Sequence, residues 1–422
     1  MNLHPIRVIR DPIHGNINIY ESEEAILNTK EFQRLRYISQ LSLCSFVYPG
    51  ATHNRFAHSL GAMHLAGEYY KSICQNSGLE FEKEIFLALR LAAMVHDIGH
   101  GPFSHVFERS IKFYFSKVKN DHKSFHHEDM SYKILKERLF DKIDSSVFDL
   151  VLKLISGKNL PSDKLFLSQI ISSEIDADRS DFLLRDAFYS GVNYGQYEIK
   201  RLLETISLSQ VNSKTVLTFK FKGLMALESF IFARYNMYRG VYFHHTNLIG
   251  DAMIARAMFY LLENELFPLE SISDPVEFIK WNDHRLFGLF SDLIYSKSVL
   301  NRKNPNFVTI DGIINRNLWK RFNLPKNSSF ETVISKIKEF SITNNIDQDF
   351  IFEDVNIEKT PYTWLPLQYD NEKPTNIYIT DKNSEVVEFS SVSQITVPKD
   401  FLNYRQMLVH PDYFQSIQNL FK

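Results

Sequence analysis

The chain has 422 residues, 44% of them hydrophobic, with two cysteines and a formal net charge of −2. This length and apolar content exclude a disordered chain and leave room for one large domain with an appended lobe. The near-neutral balance disfavours a nucleic-acid binder with a global basic field, Cys44 and Cys74 cannot build a disulfide framework, and no apolar stretch is long enough to cross a bilayer. With no signal pattern at the N-terminus and no zinc-knuckle spacing of the cysteines, the expected setting is a reducing cytoplasm, with no membrane partner.

Residues 1 to about 22 alternate like strands and turn at Asp11-Pro12-Ile13-His14-Gly15, after which helical periodicity takes over. Nine of the 15 histidines lie between His53 and His127. Within that stretch, residues 83–98 are apolar nearly all round, which predicts a buried central helix carrying His96 and Asp97 at its C-terminal end. Gly99, Gly101 and Pro102 stop it, Pro102 fitting the first turn of the next helix, so His100 and His105 are expected around a bend. Residues 214–222 alternate as one strand of a hairpin before a helix beginning near Gly223. Beyond about residue 300 come Asn, Lys and short β-like runs such as Asn376-Ile377-Tyr378-Ile379-Thr380, turning at Asp381 to Ser384. The predicted fold class is mainly α, with small β-hairpins. The predicted division is a helical core over residues 1–300 and a smaller C-terminal α/β lobe over 301–422, which carries no assignable motif.

Imidazoles and carboxylates in this arrangement are the composition of a metal-bound hydrolytic site. His96 and Asp97 leave a helix about 100° apart, so they can share one ion only if other helices close the shell. His58 is one further candidate. Another is an acid of Ile175-Asp176-Ala177-Asp178, where Asp178, Asp181, Phe182, Arg185 and Asp186 share a helical face and Asp176 points elsewhere; periodicity slightly favours Asp178. Two imidazoles and two carboxylates balance a dication and leave open positions, which suits Fe, Mn, Co or Mg better than closed tetrahedral zinc. Each piece alone has an ordinary explanation, a core histidine or a solvated acidic face; the joint occurrence carries the weight.

The ordered series His58, His96-Asp97, Asp178 resembles the HD-domain metal phosphohydrolases. The stretches Asp11 to Gly15, Phe32-Gln33-Arg34-Leu35-Arg36, Pro49 to Phe56, His96 to His105, Ile175 to Asp178 and Ala233 to Arg239 narrow the resemblance to the deoxynucleoside triphosphate triphosphohydrolases, the SAMHD1-like dNTPases. It spans roughly residues 5 to 260 and implies an HD-domain helical core. It also implies that Asp178 is the fourth metal ligand, that the cofactor is one divalent ion (Fe, Mn, Mg, Co or Ni), and that Mg can accompany the triphosphate. The implied reaction is attack of water on the α-phosphorus of a dNTP, giving a deoxynucleoside and inorganic tripolyphosphate, with a dGTP preference open.

By the same resemblance His100, His105, His127 and Glu128 line the site, with Glu108 orienting a histidine and with His126 and His122 as rivals to His127. Arg55, Arg179, Arg234, Tyr238 and Tyr242 are implied for the phosphates and nucleoside, Asp186 and Phe182 for the sugar and triphosphate, and Gln40 and Leu41 for the ribose pocket. Arg179 stands where the family typically has lysine, and Phe182 where it often has tyrosine, so the hydrogen bond of that tyrosine hydroxyl to substrate does not carry over with the resemblance. Arg7, Val8, Gln33 and Arg36 match an activating-nucleotide site where subunits meet, with Asn28 replacing the acid that would pair with a guanine edge. A homo-oligomer, dimer or tetramer, is implied. The core starts near residue 5, leaving no sterile-alpha-motif segment before it, so a smaller bacterial or phage-type enzyme is the nearer picture. Two other functions stay open: an HD hydrolase of another nucleotide or of single-stranded nucleic-acid ends, and a catalytically silent nucleotide-sensing scaffold.

Overall fold

Strands β1 (Arg7–Asp11) and β2 (Gly15–Ile19) pair antiparallel, from Arg7 opposite Ile19 to Asp11 opposite Gly15. Asp11 Oδ1 accepts from the backbone N–H of Ile13 and His14, both at 2.9 Å, and Gly15 takes the left-handed conformation that closes the turn. The structure is a computed structural model describing residues 4–119, 124–296, 304–325, 328–348, 351–358, 377–395 and 403–422.

Short helices α1 (Glu21–Leu27) and α2 (Lys30–Gln33) lead to α3 (Arg55–Ser77), which Asn54 caps by accepting from the Ala57 N–H at 3.1 Å. Next come α4 (Lys83–Val95), α5 (His105–Tyr114), α6 (His127–Arg138), α7 (Ser145–Ser156), α8 (Leu165–Ile171) and α9 (Ala177–Ser190). Helix α3 packs chiefly against α4 and α9. From Ala88 to Val95 every residue of α4 is buried, as its apolar composition requires. The polar Arg90 survives there because its guanidinium pairs with the buried Glu23 and donates to the Asn18 carbonyl at 2.7 Å, tying the hairpin and α1 to the core.

Two boundaries differ from the sequence expectation. Helix α4 ends at Val95, so His96 and Asp97 sit in a turn beyond it. The Gly99 N–H donates to Ser131 Oγ at 2.9 Å while that hydroxyl donates to the His96 carbonyl at 2.6 Å, and a Cβ on Gly99 would run into His127 and Ser131 backbone of α6. Pro102 lies outside the next helix, which starts only at His105, because Phe103 and Ser104 adopt positive φ (57° and 59°). Tertiary ties hold that bend. Buried Asp283 accepts from the Phe103 N–H at 2.7 Å, and buried Arg34 donates to the carbonyls of His100 (2.6 Å), Ile98 (3.3 Å) and Trp281 (2.8 Å).

Helix α10 (Ile199–Thr205) precedes the hairpin β3 (Ile206–Val211) and β4 (Lys214–Lys220), followed by α11 (Leu224–Met237), a π-helical turn over Tyr238–Tyr242, and α12 (His245–Glu263). Helices α13 (Pro275–Phe278), α14 (Asp283–Tyr295) and α15 (Pro305–Asn315) complete the helical body. The remainder holds β5 (Lys320–Phe322), α16 (Phe330–Thr343), β6 (Phe352–Glu358), β7 (Tyr378–Thr380), β8 (Val386–Glu388), α17 (Phe389–Val392), β9 (Asn403–Val409) and α18 (Pro411–Asn419). Strand β7 joins β4 in parallel and β8 extends that sheet, placing Ile377, Ile379 and Phe389 in the main core. The sheet β5-β9-β6 packs around a second core of Phe322, Val333, Ile337, Ile351, Phe352, Met407, Val409 and Ile417. The fold is mainly α with a smaller C-terminal lobe. Asn376 of the β-like run lies outside the described residues. Among the described residues no helix is long and apolar enough to cross a membrane, and both cysteines are buried and free.

Candidate metal centre

Three elements converge on one point. Helix α3 contributes His58 from its first turn, the turn after α4 contributes His96 and Asp97, and the first turn of α9 contributes Asp178. His58 Nε2 lies 3.0 Å from Asp178 Oδ1 and 3.6 Å from Asp97 Oδ2; His96 Nε2 lies 3.3 Å from Asp97 Oδ1 and 3.5 Å from Asp178 Oδ1. Asp176 is occupied differently: as N-cap of α9 it accepts from the Arg179 N–H at 2.7 Å.

The donor set fits a divalent ion. On both histidines Nδ1 faces an obligate acceptor, Asp181 Oδ2 at 2.8 Å for His58 and the Ala93 carbonyl at 2.7 Å for His96, so Nδ1 carries the proton and the Nε2 lone pair points inward. Both Nε2 atoms are buried and make no hydrogen bond. Asp178 Oδ1 stands 3.0 Å from His58 Nε2 without meeting the angular criteria of a hydrogen bond. Without an ion, burial opposes a proton on these rings, yet Asp178 and Asp181 outweigh it and raise His58 to about 10; Asp97 and Asp178 raise His96 to about 9. Burial likewise opposes ionisation of Asp97, and Arg55, His96 and His100 together hold it well below the usual carboxylate range.

A second cluster shares Asp97. His100 Nε2 is 3.3 Å and His127 Nε2 3.9 Å from Asp97 Oδ1, and the two rings stack with centroids 3.7 Å apart. Glu108 holds His127, accepting from its backbone N–H at 3.2 Å and meeting Nδ1 at 2.5 Å, and it lies 3.5 Å from His105 Nδ1. His105 is exposed and edges onto both rings; Glu128 is exposed, 3.4 Å from His127 Nδ1. His126 turns away to Ser124 Oγ at 2.7 Å. His122 lies outside the described residues.

The cations are all engaged. Buried Arg55 pairs with Asp97 Oδ2 and donates to Ser104 Oγ at 2.7 Å, Arg179 pairs with Asp176, and Arg234 pairs with Glu174 at 2.6 Å. Tyr242, at the end of the π-helical turn, donates to Asp186 Oδ2 at 2.7 Å and meets the ring edges of Tyr238 and Phe182. Phe182 also lies edge-on to His58. Gln40 and the half-buried Leu41 flank this region through the Gln40 N–H, which donates to the His53 carbonyl at 3.1 Å, while Gln40 Oε1 is buried with no partner. The five residues matched to an activator site are not gathered around the four converging side chains. Arg7 pairs with Glu24 at 2.5 Å beside exposed Val8, Gln33 donates to the Leu27 carbonyl and accepts from Arg36 Nε at 2.8 Å, and Asn28 lines an open cleft of about 680 Å³ with Lys30, Arg138 and Lys142.

Sequence reasoning gave the supporting residues no role. His14 and Asp181 meet at 2.6 Å, His53 meets Asp186 Oδ1 at 2.7 Å and stacks on Tyr189, and Arg34 and Asp283 clamp the bend. The available signal was the charged face of α9, on which Asp181 and Arg185 recur with Asp178; Asp181 and Arg185 pair with each other, and their other partners, His58, His14 and Asp11, lie 123 to 174 residues away.

The HD domain matches residues 55–186, a span that contains all four converging side chains, and the HD associated region matches residues 198–396. The chain belongs to the HD-domain family. An uncharacterized protein of Methanocaldococcus jannaschii is 35% identical over 269 residues, covering 64% of this chain and 53% of its own. The deoxynucleoside triphosphate triphosphohydrolase SAMHD1 homolog of Dictyostelium discoideum is 34% identical over 322 residues, covering 74% of this chain and 59% of its own. The chain thus spans little more than half the length of these curated relatives. A crystal structure of a phosphohydrolase from Bacteroides thetaiotaomicron superimposes with a TM-score of 0.75 at 25% identity, covering 96% of this HD-domain chain and 99% of that one.

Proposed function

We propose that the chain is a metal-dependent phosphohydrolase that converts a deoxynucleoside triphosphate to a deoxynucleoside and inorganic tripolyphosphate. The observation that carries the metal dependence is the pair of buried, partnerless Nε2 atoms of His58 and His96 beside Asp97 and Asp178. The choice of substrate rests on likeness to the named triphosphohydrolases and on the arginines around the site.

His58, His96, Asp97 and Asp178 would hold the ion. When bound, a divalent cation supplies Lewis acidity toward the phosphoryl group and lowers the pKa of water. Water oxygen bonds to the α-phosphorus and the bond to the 5′-oxygen breaks, so that oxygen needs a proton. The proposed donor is His127, oriented by Glu108 and stacked on His100. Arg55 is poised to swing part of its fork from Asp97 to a phosphate oxygen, and Arg179 and Arg234 to neutralise the departing tripolyphosphate. Asp186, shared by His53 and Tyr242, offers an acceptor to a sugar hydroxyl.

The test is product analysis. Purified protein given each dNTP with Mn, Mg, Co or Fe should release tripolyphosphate, and His96→Ala/Asp97→Ala should not. Release of pyrophosphate or monophosphate instead replaces this reading with another HD hydrolase, and equal turnover by the double variant ends it.

A further inference from the structure

We propose that Asp181 is a positioning residue that sets His58 as an Nε2 ligand, and that His14 ties this setting to the N-terminal hairpin. The proposal rests on the metal centre described above and extends it to residues that touch neither ion nor substrate.

Asp181 is fully buried on α9, and four donors fill its acceptor positions. Oδ1 meets His14 Nε2 at 2.6 Å and Arg185 Nη2 at 2.8 Å; Oδ2 meets His58 Nδ1 and Arg185 Nε, each at 2.8 Å. Arg185 continues to Asp11 Oδ2 at 2.8 Å, and Asp11 Oδ1 caps the turn that carries His14. Two carboxylates on one guanidinium leave a net negative charge facing the Nδ1–H of His58. That carboxylate–imidazole arrangement fixes the tautomer and makes Nε2 a stronger donor to a cation. The backbone leaves room for it: a Cβ on Gly61, one turn after His58 on α3, would overlap the Asp181 carboxylate and the Arg185 guanidinium.

An amide at 181 presents two N–H donors to neighbours that are themselves donors, so one face of the side chain loses its partners. With the amide nitrogen toward His58, the imidazole moves its proton to Nε2 and loses the lone pair a ligand needs. His14 acts one step further out, holding Oδ1 so that Oδ2 stays on His58. Through it a shift of the β1–β2 turn reaches the ligand.

Titration of the metal-free full-length protein with Co²⁺, followed by visible absorption, tests this with three variants. Asp181→Asn is expected to weaken Co²⁺ roughly 10- to 100-fold and to shift the absorption bands as a nitrogen ligand is lost. His14→Ala is expected to weaken it about 10-fold or less. Glu23→Gln, which breaks the buried pair with Arg90 in the same part of the fold, should lower Tm but keep the wild-type spectrum and Kd. Wild-type affinity in Asp181→Asn, or an equal loss in Glu23→Gln and His14→Ala, overturns the proposal. Should Asp181→Asn fail to fold, unchanged binding by His14→Ala overturns it. Failure of the wild-type protein itself to bind Co²⁺ removes the metal centre, and with it this inference.

Discussion

The two groups of side chains on either side of Asp97 are built oppositely. On the side of His58 and His96 each ring is held at Nδ1 by a buried partner and leaves Nε2 bare; on the side of His100, His105 and His127 the rings lean on one another, and His105 and Glu128 reach solvent. The first arrangement has rigid geometry and a fixed tautomer, which suits ligation. In the second, Glu108 reaches both His127 and His105, and His105 is open to solvent, a connected route that suits proton transfer. One aspartate belonging to both groups keeps them in register.

The largest test of this contrast is removal of a member from each side. His58→Ala should abolish both ion content and hydrolysis, whereas His127→Ala should lower kcat about 10²- to 10⁴-fold while the ion content stays at the wild-type level. Metal analysis beside single-turnover kinetics checks it, and loss of ion in the His127 variant would erase the distinction. Glu108→Gln should follow with a reduction of roughly 10- to 100-fold, because an amide cannot hold the His127 proton as the carboxylate does. Its ion content should again be unaltered.

pH separates the sides further. In the metal-free protein His58 is raised to about 10, above the ordinary histidine value of 6.5, so the stability it contributes is fully present below about pH 6.5 and is lost as pH rises through about 10. Ion uptake runs the other way, since an ion must displace that proton and binds more tightly as pH rises. The Tm gap between metal-free wild type and His58→Gln should therefore narrow from pH 6.5 to pH 10 while Mn²⁺ affinity grows; a constant gap would contradict it. The smallest effect is expected at Phe182. Phe182→Tyr adds a hydroxyl beside Tyr242 and His58 and should lower KM for a dNTP by a factor corresponding to about 0.5–1.5 kcal/mol, with kcat unchanged, as steady-state kinetics would read.

The helical core, both hairpins and the mainly α class could be read from periodicity and turn residues, since apolar spacing and Gly or Pro punctuation are local properties. The site was legible only as residue types in an order. Helix α4 looked longer than it is because His96 to Ile98 continue its periodicity, and only the contact of Gly99 with α6 ends it. Pro102 looked like a helix start because nothing local reveals that Asp283, 180 residues on, holds the Phe103 N–H. Asp181 was visible only as one acid on the charged face of α9, and His14, His53 and Arg34 only as members of the matched stretches, with nothing local to give their roles. Their roles come from buried pairings across the fold, which single-residue chemistry cannot announce. Strand β7 likewise reads as a strand, but its partner β4 lies some 160 residues earlier.

The second apolar core has a thermodynamic consequence of its own. Phe322, Val333, Ile337 and Met407 belong to a core separate from the one around the histidines, and the links across include Arg256 to Glu353 at 3.2 Å and His410 to the Pro305 carbonyl at 3.2 Å. Heat can therefore dissolve the two cores at different temperatures, and an added ion, binding only one of them, should lift one calorimetric peak away from the other.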